Sequence, residues 1–79
     1  MKKYEGHPNV VGNLIEKCRK AKKYNKSDLC RKLQLHGVYI DRVELYKMEK
    51  GQMIIKDFEL IALCKVLDIN YEDLKNTIE

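Results

Sequence analysis

Asp41-Arg42-Val43-Glu44-Leu45-Tyr46-Lys47-Met48-Glu49-Lys50-Gly51 is the stretch on which the reading of this chain turns. Asp41 stands three residues before Glu44, the spacing of a capping box, in which each side chain accepts from the other residue's backbone N–H. Leu45 and Met48, three apart, share one face of a helix. Gly51 adopts without strain the left-handed conformation that ends a helix. So short a helix, with two inward apolar positions, turns Arg42, Val43, Tyr46 and Lys47 outward.

The same signals recur on both sides. Upstream, Asn25 precedes Asp28 by three and opens a helix carrying Leu29, Cys30 and Leu33, which Gly37 stops. Before it, Val11, Leu14, Ile15 and Cys18 fall at i, i+3, i+4 and i+7, predicting a helix from about Val10 to Lys23. Downstream, Asp57 starts a helix whose Leu60, Leu63, Cys64 and Leu67 repeat that stripe, and Asn70 with Asp73 caps a short one containing Leu74. No run alternates apolar and polar residues long enough for a strand. The expected fold is all-α, with five helices.

Seventy-nine residues suffice for one domain and not two. Residues 1–8 hold little apolar material and are expected to be loosely ordered, leaving 9–79 as the folded unit. The longest apolar run, Leu60 to Cys64, falls far short of the roughly 20 residues that span a bilayer. The stretch Met1 to Pro8 leads into no apolar h-region, so the expectation is a cytoplasmic chain away from membranes. Cys18, Cys30 and Cys64, odd in number and without CxxC spacing, read as small core hydrophobes in a reducing compartment, and neither metal nor cofactor is expected. The net charge is +4, but residues 1–32 carry ten Lys/Arg against three Asp/Glu, whereas residues 33–79 carry six against nine. A basic half suits a polyanion such as DNA or an anionic membrane surface, though a lysine-rich stretch is more often a solvated face.

In the order and spacing of these segments the chain resembles the phage Cro/repressor family, the xenobiotic-response-element type of helix-turn-helix. The resemblance covers about Val11 to Leu74. Leu45-Tyr46-Lys47-Met48-Glu49-Lys50-Gly51 is similar to the apolar-x-x-apolar-Glu-x-Gly ending of that family's recognition helix. Ile15-Glu16-Lys17-Cys18-Arg19-Lys20 resembles its first helix, and Asp57 to Leu67 with Ile69-Asn70-Tyr71-Glu72-Asp73-Leu74 its last two. The chain departs from the family pattern twice. The connection from Leu33 to Asp41 is about five residues longer than usual, and Lys26 stands where the family usually has Gln. A continuation of the second helix through Gln34 to His36, ended by Gly37, with Val38 and Ile40 turned inward, accommodates the extra length.

The resemblance implies a compact, lambda-repressor-like domain that binds double-stranded DNA as a homodimer and regulates transcription. Arg42, Val43, Lys47 and Tyr46 would face base edges in the major groove: Arg42 on guanine O6 and N7, Val43 on a thymine methyl. Lys26, Lys50 and Lys56 would meet phosphates, and Arg19 with Glu49 would form a structural pair between the first and third helices. Phe58, Ile61, Val66 and Ile78 exceed what the core stripe needs and serve either a dimer contact or the core itself. Tyr24 and Tyr71 are expected to cover the core edge. His7 and His36 are too isolated for a catalytic or metal pair. With no nucleophile–base set, phosphate-binding glycine loop or paired carboxylates, neither an enzyme nor a small-molecule substrate is expected. The alternative is a protein-interaction module of the same fold, antitoxin-like, which the acidic Asp68, Glu72, Asp73 and Glu79 favour.

Overall fold

The computed structural model describes residues 4–78; the first three residues of the segment expected to be loosely ordered, and Glu79, lie outside the described residues. Among these the elements are α1 (Gly12–Ala21), α2 (Lys26–Gln34), α3 (Arg42–Glu49), α4 (Asp57–Leu67) and α5 (Tyr71–Lys75), an all-α order of five helices.

Local chemistry starts three of them in the same way. At α2, α3 and α5 a reciprocal capping box closes: Asn25 with Asp28, Asp41 with Glu44, Asn70 with Asp73. Each pair satisfies two backbone donors that a helix start leaves orphaned. At α4 only the return half forms, Glu59 Oε1 accepting the Lys56 N–H at 2.8 Å. The bond from the Asn25 N–H also holds the Asp28 carboxyl below its ordinary pKa.

α1 is shorter than its apolar stripe suggests, and its cap comes from outside the helix. Asn9 Oδ1 accepts the N–H groups of Val11 (3.1 Å) and Gly12 (2.9 Å). Its amide donates to the carbonyls of Met48 (3.0 Å) and Met53 (2.7 Å), tying the start of α1 to the end of α3.

The first four helices end alike. A residue with positive φ follows each, namely Lys23, Gly37, Gly51 and Asp68. The next N–H then reaches back five residues: Tyr24 to Arg19, Val38 to Leu33, Gln52 to Lys47, Ile69 to Cys64. This is the Schellman stop. In the long connection after α2 it decides the geometry. The α-helix ends at Gln34, short of the expected His36, and a tighter turn carries the chain to Gly37, at φ +77°. The reversal then drops Val38 and Ile40 into the core, where both are buried.

The core gathers Ile15 of α1, Leu29 and Leu33 of α2, Leu45 and Met48 of α3 and Leu63 of α4, each without exposed surface. α1 and α2 each pack on both α3 and α4, so α3 is held from two sides by its inner face. Tyr24 and Val66 lie against the core. Tyr71 does not: it is 71% exposed, because the N1 position of the short α5 points to solvent. Phe58, Ile61 and Ile78 are exposed as well.

The cysteines pack in or against this core and are free. Burial pushes all three thiols above their usual pKa, and only a thiolate attacks an electrophile readily. Iodoacetamide at neutral pH should therefore label each at least about tenfold more slowly in the native chain than in urea. Native labelling at the unfolded rate would contradict this packing.

Candidate nucleic-acid interface

The outer side of α3 is built by subtraction. Leu45, Met48 and Glu49 are committed inward, so the helical period leaves Arg42, Val43, Tyr46 and Lys47 exposed. Val43 is 61% exposed and Tyr46 47%. Among the described residues neither Arg42 nor Lys47 is held in an ion pair.

Beside this face, α2 begins. Its first turn and α3 enclose a groove of about 550 Å³ lined by Asn25, Lys26, Ser27, Arg42, Val43 and Tyr46. One of the three lysines assigned to phosphate and three of the four residues assigned to bases thus converge on one notch. Lys47 lies outside the notch. Ser27 is a wall that sequence reasoning missed; nothing but its place in the first turn of α2 signalled it.

Tyr46 organises the cations. Lys26 Nζ stands 5.8 Å and Lys50 Nζ 5.7 Å from its ring centroid, within cation–π range. Lys50 also lies 3.9 Å from Glu16 Oε1, which is lowered in pKa first by its bond to Lys20. The tyrosine ring is therefore a post that keeps two ammonium groups near the groove. Lys56 is elsewhere, with its Nζ 5.9 Å from the Phe58 ring at the start of α4.

Below the surface a buried ion pair fixes the height of α3. Arg19 Nε donates to Glu49 Oε2 at 2.7 Å and Nη2 to Oε1 at 3.1 Å, while Nη1 donates to the Tyr24 carbonyl at 2.9 Å. Arg19 is 5% exposed and Glu49 wholly buried. The carboxylate raises the pKa of Arg19 further, chiefly through that hydrogen bond. A forked guanidinium meeting a carboxylate admits one relative placement of the two helices.

Gly12 and Asn9 complete this joint, and sequence reasoning missed both. A Cβ on Gly12 would lie 2.4 Å from the Met48 carbonyl oxygen and 2.6 Å from that of Glu49. Asn9, directly before the apolar Val10 and Val11, carried a cap signal that could have been read.

A helix-turn-helix family model matches residues 15–74, from the buried Ile15 of α1 to Leu74 of α5. No curated protein and no solved structure matches the chain. No described helix is long and apolar enough to cross a membrane. With five helices in the expected order, an α2–α3 unit whose second helix presents an open face, and a family match over three quarters of its length, the chain belongs to the Cro/repressor, or xenobiotic-response-element, type of helix-turn-helix proteins.

Proposed function

We propose that the protein binds double-stranded DNA sequence-specifically as a homodimer and regulates transcription, with α3 seated in the major groove. One observation carries this reading: Arg42, Val43, Tyr46 and Lys47 stand in solvent on a helix whose other side is locked into the core. Rigid placement is what base readout requires, since hydrogen bonds to base edges tolerate little misplacement. Arg42 supplies a fork for guanine O6 and N7, Val43 a methyl contact for thymine, and Lys47 a donor for guanine or phosphate. Lys26 and Lys50, gathered around Tyr46, and Lys56 supply phosphate contacts that set register without reading sequence.

The test is selection of bound sites from random duplex DNA, followed by gel-shift titration of the selected site. Arg42→Ala removes a bidentate contact worth about 1–3 kcal/mol from each subunit, so it should weaken specific binding by the dimer at least about 25-fold and relax preference at one position of each half-site. Lys26→Ala should weaken all duplexes alike. With about three phosphate contacts per subunit, log affinity should fall with log salt at a slope of roughly −5 for the wild-type dimer, and about one unit less per subunit for Lys26→Ala. No binding to any duplex at low salt would remove the reading and favour the protein-interaction module.

A further inference from the structure

Away from the groove, α4 turns an apolar strip to solvent. Phe58 is 52% and Ile61 57% exposed, and with His36, Ala62 and Lys65 they line a cavity of about 220 Å³ between α4 and the turn after α2. None of the residues assigned to DNA lines it. Asp57 and Lys65 flank Ile61, four residues to either side, and both are exposed. Among the described residues neither has an ion-pair partner.

We infer that this strip is the contact between two copies of the chain, their α4 helices packed antiparallel across a two-fold axis at Ile61. In an isologous contact, residues equally far on opposite sides of the axis face each other. Asp57 and Lys65 each lie about 6 Å along the helix from Ile61. The axis therefore sets each Asp57 against the Lys65 of the other copy, twice, with Ile61 on Ile61 between them. By the same rule each Phe58, three residues before the axis, is directed at the surface around Cys64 and Lys65 on the other copy. The strip is complementary to itself in charge at Asp57 and Lys65, and Lys56, with its Nζ over Phe58, stands at its edge. Leu35, 86% exposed, lies beside Arg31 and Lys32, but there Arg31 is already paired with Asp28, so that surface offers no matching pair of unpaired opposite charges.

This deepens the homodimer in the reading above, and the experiment is done without DNA so that the two fail separately. Sedimentation equilibrium of the wild-type chain at about 100 μM should give twice 9.4 kDa. Ile61→Glu should give the single-chain mass with unchanged helical circular dichroism. Lys65→Asp should weaken association at least about tenfold, and Lys65→Asp with Asp57→Lys should recover most of it. A wild-type chain that stays monomeric overturns the inference and leaves the strip to a different protein. A dimer indifferent to Ile61→Glu overturns it too. Should Ile61→Glu fail to fold, the charge exchange decides: no recovery in the double variant removes the antiparallel pairing.

Discussion

Glu49→Ala should destabilise the protein by about 3–5 kcal/mol, lowering the melting temperature by more than about 12 °C in a domain this size. The loss does not measure an attraction. Two charges buried together gain little over an apolar pair, because leaving water costs each of them several kcal/mol. Removing one partner is different. Arg19, 5% exposed, would keep its charge with Nε and Nη2 facing a void, and only Nη1 would still hold the Tyr24 carbonyl. Replacing both residues, as in Arg19→Met with Glu49→Leu, should therefore recover most of the stability. A surface control such as Lys17→Ala, exposed on α1, should shift it by no more than about 0.5 kcal/mol. A melting curve for Glu49→Ala that overlays the wild type would sink the account.

The second large effect has the opposite sign from the usual one. Within a helix, Gly→Ala ordinarily stabilises by about 0.5–1 kcal/mol, because alanine has less conformational freedom to lose. At Gly12 the added methyl would stand 2.4 Å from the Met48 carbonyl oxygen, 2.6 Å from the Glu49 oxygen and 2.9 Å from the Glu49 carbonyl carbon. These are backbone atoms at the end of α3 and cannot rotate away. α1 would have to lift from α3, straining the Asn9 bonds to the Met48 and Met53 carbonyls and the Arg19–Glu49 fork. Gly12→Ala should cost about 3 kcal/mol, the upper end for overpacking, read as a lower urea midpoint. Asn13→Ala, on the exposed side of the same turn, should leave the midpoint level or raise it slightly. A Gly12→Ala midpoint at or above wild type would show that the two helices are not in contact there.

These two variants act on one joint, and the joint bears on function. α1 is held to the end of α3 at both of its ends, by Asn9 and Gly12 at its start and by the Arg19–Glu49 pair in its last turn, while the first turns of α2 and α3 form the groove. A slackened joint would tilt the whole outer face of α3. Variants here should weaken DNA binding through misplacement of α3, with the phosphate-contact contribution to the salt slope largely kept.

The helix starts were legible because they are local: Asn25 and Asp28, Asp41 and Glu44, Asn70 and Asp73 each complete their bonds within one turn of chain. The stops at Gly37 and Gly51 were legible for a similar reason, since glycine takes positive φ freely. The ends near Lys23 and at Leu67 were placed only by where the apolar stripe and the family resemblance stop, because there positive φ falls on Lys23 and Asp68, residues with a side chain that give no stop signal. Lys22 and Asp68, bonded at 2.7 Å, join these two corners across the molecule. Tyr71 misled because apolar character in a sequence does not say which way the first residue of a five-residue helix points.

What the sequence determined alone is thus the all-α order, the caps, and which residues of α3 are spared from the core, since 3.6 residues per turn and a three-residue reach are properties of the backbone. Only the tertiary structure decided that Lys26 and Arg42, sixteen positions apart, share a groove, that Tyr46 holds Lys26 and Lys50, and that Gly12 must have no side chain. Those outcomes depend on how closely and at what angle two helices meet. That is set by the joint packing of side chains remote from one another along the chain, and no single segment contains it.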